Sequence, residues 1–147
     1  MKKFELTSEF VTFLGKKLFR IKALISFGNV EEGELGGYVE KEENLSDDGN
    51  AWVYGNAWVS GNAWVSGDAR VYGNADYATV QGFGSEYRTT TFFRTKAGDI
   101  GVRCGCFYGT LEEFRAKVRE THGETKTAKE YLMVADLMEF RFSKEEA

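Results

Sequence analysis

The chain has no proline and a single histidine in 147 residues. Without proline, every turn must come from Gly, Asn or Asp. With one histidine, His122, a metal site built on several imidazoles within one chain is excluded. The only two cysteines, Cys104 and Cys106, are one residue apart. A disulfide between such close neighbours is strained, so reduced thiols in a reducing compartment are expected. No apolar run reaches the length of a signal peptide or a membrane span, and Met1-Lys2-Lys3-Phe4-Glu5 opens into mixed sequence, so a cytoplasmic location is expected, with no membrane contact. Excess positive charge is also missing. With 19 Lys and Arg against 23 Asp and Glu, the net charge of -4 makes nucleic acid an unexpected partner.

What the chain does have is glycine, aromatic residues and a repeat. Hydrophobic residues make up 42% of the chain and aromatic residues 15%, which suffices for a buried core and leaves rings over for contact surfaces. Gly recurs at 49, 55, 61, 67 and 73, each time followed by Asn or Asp and then Ala. Two residues after each Ala comes Val53, Val59, Val65, Val71 and finally Tyr77. A period of six fits neither the 3.6-residue helix nor a heptad, and Gly at every sixth position disfavours a helix. It does fit short strands separated by tight turns, with Val pointing inward, Ala at the corner and Gly supplying unusual backbone angles. Upstream, Val39 and Leu45 are also six apart, and an irregular step near Asp47-Asp48 precedes Val53.

This Gly-Asn-Ala-x-Val pattern resembles the hexapeptide-repeat proteins, in particular a transferase-like bacterial and phage subgroup without an assigned function. The stretch Gly33-Glu34-Leu35-Gly36-Gly37-Tyr38-Val39 and Glu43-Asn44-Leu45 resembles the opening of such chains. The resemblance implies a mainly β fold, a short left-handed parallel β-helix with 18 residues per coil. Val53 would then stack on Val71, Val59 on Tyr77 and Val65 on Phe83, with Tyr77 and Phe83 plugging the end. Residues 1–86 are expected to hold an N-terminal cap and this coil, with regular hexads over 49–82. Within the cap, Phe4-Glu5-Leu6 and Leu18 to Leu24 read as strands, with a helical turn over Ser8 to Leu14.

Residues 87–147 read as a small α+β unit. Strands from Tyr87 to Arg94 and from Ile100 to Phe107 flank a Lys96-Ala97-Gly98-Asp99 turn as a β-hairpin. Thr110 with Glu113 forms a capping box for a helix from Leu111 to His122 that ends at Gly123. Thr127 with Glu130 opens a second helix. The run Cys104-Gly105-Cys106-Phe107-Tyr108-Gly109 resembles a C-terminal module of phage-encoded proteins.

Well-known hexapeptide-repeat proteins are acyltransferases with a histidine beside the coil. Here His122 lies outside the coil at a helix C-terminus, where it interacts favourably with the helix dipole. No catalytic residue is assigned and no cofactor is expected. Cys104, Cys106 and His122 are candidate metal ligands, one short of the four that structural zinc takes. The candidate ligand or interface residues are Trp52, Tyr54, Trp58, Trp64, Arg70 and Tyr72. Each Trp precedes an inward Val and should point outward, Arg70 falls 18 residues after Trp52, and Tyr54 and Tyr72 should form a ladder. Their rings could be covered by the chain's own cap or C-terminal unit, by another subunit, or by a ligand, since aromatic faces with a guanidinium suit a nucleotide.

The resulting expectation is a non-enzymatic, phage-derived homotrimer in the host cytoplasm. It would bind a host protein or a nucleotide-like small molecule, as a counter-defence inhibitor or a sequestering protein. The alternatives are an acyltransferase using acetyl-CoA and a structural virion or scaffold component.

Overall fold

Among the described residues, tight turns and alternating apolar residues build ten strands, and two helices close the chain. The computed structural model describes residues 2–83 and 88–143. Its strands are β1 (Phe4–Phe13), β2 (Lys16–Ala23), β3 (Leu35–Val39), β4 (Trp52–Val53), β5 (Trp58–Val59), β6 (Arg70–Val71), β7 (Tyr77–Phe83), β8 (Arg88–Arg94), β9 (Ile100–Cys104) and β10 (Phe107–Thr110). Two helices follow, α1 (Leu111–His122) and α2 (Lys126–Phe142).

The expected left-handed parallel β-helix is not the fold. The sheets are mostly antiparallel: β1 pairs β2, β2 pairs β3, and β7 to β10 form a four-stranded antiparallel sheet in the order β10-β9-β8-β7. Parallel pairing is confined to β3 with β5, β4 with β6, and a bridge between Leu45 and Val65. The physical reason is strand length. A Gly-Asn or Gly-Asp turn at every sixth residue leaves only two residues of strand in β4, β5 and β6, too few to carry the architecture. The long ladders come from the flanking segments, which hairpin back on themselves.

The individual pairings follow from this. Val53 lies opposite Val71, at the 18-residue offset. Val59 lies opposite Val39 rather than Tyr77, and Val65 opposite Leu45 rather than Phe83. The hexads do not run to 82: from Tyr77 the chain becomes a seven-residue strand, with Tyr77 opposite Phe93 and Phe83 opposite Arg88. In place of the helical turn expected over Ser8 to Leu14, Ser8 to Phe13 belong to the ten-residue β1. Leu14 and Gly15, both with positive φ, turn β1 tightly into β2. Gly36 has no room for a side chain, because a Cβ there would sit 2.6 Å from the Val53 carbonyl oxygen and 2.8 Å from Trp52.

Two apolar cores result. The first gathers Phe4, Ile21, Val39, Trp52 and the hexad residues Ala51, Val53, Ala57, Val59, Ala63, Val65, Ala69 and Val71, together with Phe93. The second gathers Phe92, Val102, Leu111, Phe114, Val118, Tyr131, Ala135 and Met138. Phe92 and Phe93 are neighbours on β8, so their side chains leave opposite faces of the sheet and join different cores. That sheet is therefore the shared wall, with the hexads behind it and the helices in front. The boundary expected at 86/87 lies outside the described residues.

The C-terminal part contains the two expected helices, on four strands rather than a single hairpin. Thr110 caps α1 by accepting from the Glu113 amide at 3.2 Å, while the Glu113 carboxylate accepts from the Thr110 amide at 2.9 Å. The cap of α2 is Thr125, not Thr127. Its hydroxyl accepts from the Ala128 amide at 3.2 Å. Arg115 on α1, almost fully buried, donates to Glu112 and ties to Asp136 at 2.9 Å and Glu139 at 2.8 Å on α2, holding the two helices together.

Candidate functional site

Turn chemistry and helix packing place one cleft at the helical side of the β7–β10 sheet. Its volume is about 300 Å³. Phe83 from β7, Phe107 from β10, Phe114 from α1 and Tyr131 from α2 give it aromatic walls. Their rings meet edge to face or tilted, with Phe114 5.8 Å from Tyr131 at 90°, Phe107 5.9 Å from Phe114 at 58°, and Phe83 6.3 Å from Tyr131 at 50°. Such contacts fix ring orientation better than aliphatic packing does.

Polar groups converge on the same space. Lys117 and Thr121 come from the exposed flank of α1, Arg88 from the start of β8, and His122 from the last turn of α1. The His122 ring stacks on Tyr131 at 6.0 Å with an interplanar angle of 26°. Cys104 ends β9 and Cys106 follows the turn at Gly105, whose φ of 57° is in the left-handed region. A Cβ at Gly105 would collide with the Arg88 guanidinium, so glycine there leaves room for the Arg88 side chain. The Cys104 sulfur accepts from the Thr90 hydroxyl at 3.2 Å. Burial raises the Tyr131 phenol above its ordinary value, with the nearby Cys104 acting the same way and Arg88 opposing. Tyr131 therefore stays a protonated hydrogen-bond donor.

The three candidate metal ligands thus line one cleft. Among the described residues, however, no group of three or more His, Cys, Asp and Glu is placed to hold a metal ion. Both cysteines are free thiols.

The six residues expected to form a ligand or interface surface are dispersed. Trp52 is fully buried between Phe27 at 5.3 Å and Phe4 at 6.4 Å, and its indole nitrogen has no hydrogen-bond partner among the described residues. Trp58 is half-buried with its ring 5.2 Å from Phe13 at the far end of β1. Trp64 lies under Arg103, whose guanidinium carbon is 3.7 Å from the ring centroid, and its amide donates to Thr91 at 2.9 Å. The chain's own β1 and β8–β9 segments therefore cover these three rings. Tyr54, Arg70 and Tyr72 do come together. The two tyrosines stack at 4.4 Å and 16°, and Arg70 donates to the Tyr54 hydroxyl at 3.1 Å and to the Asn50 carbonyl at 2.9 Å.

Sequence reasoning missed two things. Lys3 is buried, with its ammonium donating to the Ala51 carbonyl at 2.8 Å and lying 4.7 Å from the Phe27 ring centroid. It also missed that Lys117, Thr121 and His122 share a cleft wall. Their spacing of four and one on α1 was the available signal, since positions 117, 118, 121 and 122 share one helical face.

No family model, characterised protein or solved structure matches this chain. The resemblance to hexapeptide-repeat proteins accordingly rests on the repeat alone. Among the described residues no helix is long and apolar enough to cross a membrane.

Proposed function

We propose that this protein is a non-enzymatic binding protein whose ligand is a nucleotide-like small molecule, held in the cleft between the β7–β10 sheet and the two helices. The observation that supports this most is the meeting of four aromatic side chains with Lys117, Arg88 and Thr121 around one concave space. Aromatic faces stack a base, and cationic and hydroxyl donors hold a phosphate. At about 300 Å³ the space is at the small end of ligand pockets. It suits a single base with its sugar, the phosphate reaching the Lys117 side of the rim. Among the described residues the Cys104 sulfur is engaged by the Thr90 hydroxyl and not by His122, so the reading favours sequestration over turnover. A reducing cytoplasm suits a site edged by two free thiols.

Titration calorimetry with nucleoside monophosphates, cyclic nucleotides and ADP-ribose tests this. At least one should bind, and Lys117→Ala should weaken it about tenfold, the usual worth of one charge-assisted hydrogen bond. Absence of heat with all of them, or an affinity unchanged by Lys117→Ala, overturns the proposal.

A further inference from the structure

Helix α2 is apolar on two sides. Its inner side, with Ala128, Tyr131, Val134, Ala135, Met138 and Phe142, is buried. On its outer side Met133 is 71% exposed, Leu137 57% and Phe140 79%. Positions i, i+4 and i+7 form a single stripe, and three large apolar side chains in one exposed row are unusual on a surface without a partner.

We propose that this stripe is the surface through which two copies of the chain associate, with their α2 helices antiparallel about a two-fold axis beside Leu137. Met133 is four residues before Leu137 and Phe140 three residues after it. In an antiparallel pair, at about 1.5 Å rise per residue, Met133 of each copy lies level with Phe140 of the other to within about 1.5 Å. A thioether against a ring edge is a favourable contact.

Charge decides the orientation. Glu130 and Arg141 are eleven residues apart, which is three helical turns plus about 20°, so both border the stripe on the same flank. Neither takes part in a salt bridge among the described residues. In an antiparallel pair like flanks face each other, as e meets e in antiparallel coiled coils. Glu130 of each copy then approaches Arg141 of the other with an axial offset of about 4–5 Å, which both side chains can span. A parallel pair would turn this flank of each helix towards the opposite flank of its partner, leaving Glu130 and Arg141 without each other. The antiparallel arrangement also opposes the two helix dipoles favourably. The stripe is small beside a standard interface, so the dimer is weak and reversible.

Sedimentation velocity over a concentration series tests the proposal. The mass should rise from 16.6 kDa towards twice that as concentration increases. Leu137→Glu, an exposed substitution whose fold is checked by circular dichroism, should abolish the rise. Glu130→Arg or Arg141→Glu alone should each weaken association about fivefold, and the double swap should restore it. A 16.6 kDa species at every concentration, a dimer indifferent to Leu137→Glu, or a double swap that fails to restore association each overturns it.

Discussion

Two buried cations shape the stability of the hexad region residue by residue. Lys3 donates to the Ala51 carbonyl, and burial lowers its pKa from 10.5 to about 8, with Asp47 and Asp48 opposing the shift and Arg70 reinforcing it. Below about pH 8 Lys3 is charged in both the folded and unfolded states, and folding carries its full desolvation cost. Between about 8 and 10.5 the unfolded chain holds the proton and the folded one releases it, so stability rises with pH in that window. Burial raises Tyr54, Tyr77 and Tyr131 above 10.0. Above pH 10 the unfolded tyrosines ionise first, and stability falls. Urea midpoints measured from pH 7 to 11 should therefore peak between about 9 and 10, and Lys3→Met should flatten the rising limb. A wild-type profile that is flat or falling from pH 8 to 9.5 would contradict this account of Lys3.

Elements differ in how much of their role is visible along the chain. The inward positions of the hexads were legible: Ala51, Ala57, Ala63 and Ala69, with Val53, Val59, Val65 and Val71, are all buried. Helix α1 was also legible in both its capping box and its glycine stop, because capping is a local interaction. The outward tryptophans were not. Whether a ring beyond a two-residue strand faces water depends on what another element does, and β1 is long enough to reach Trp52 through Phe4 and Trp58 through Phe13. The alternation that marks β1 as a strand is interrupted by a register shift between Leu6 and Phe10, which explains why a helical turn was expected there. If β1 is a lid rather than a neighbour, Trp52 is core. Trp52→Ala should then cost about 3–5 kcal/mol by urea unfolding, as large aromatic truncations do. A loss under about 1 kcal/mol would mean the ring is a surface contact.

At the scale of the whole molecule, the decisive feature is that one antiparallel sheet faces two cores. A repeat with a six-residue period suggests a solenoid because each turn is locally self-consistent. The chain stops adding turns at Tyr77, where a seven-residue strand pairs with β8 instead. The replacement of Val by Tyr77 marks where the hexads end, but the pairing with β8 that follows is non-local and has no signature in them. That pairing brings the helices onto the far face of the sheet, so the hexad alanines and valines pack as scaffold while Cys104, Cys106 and His122 line a cleft on the helical side. Of the outward rings on which the expected trimer drew, Trp52 is buried while Tyr72 stays 63% exposed, and a further exposed apolar row, Met133, Leu137 and Phe140, lies on α2. Because both cysteines line the cleft, they report on its occupancy directly. The test is the rate of alkylation of Cys104 and Cys106, followed by mass spectrometry, with and without a saturating nucleotide. The account predicts that the bound ligand slows labelling of both thiols, Cys106 included although it is exposed. Unchanged labelling of both in the presence of a nucleotide shown to bind would place the ligand elsewhere and contradict it.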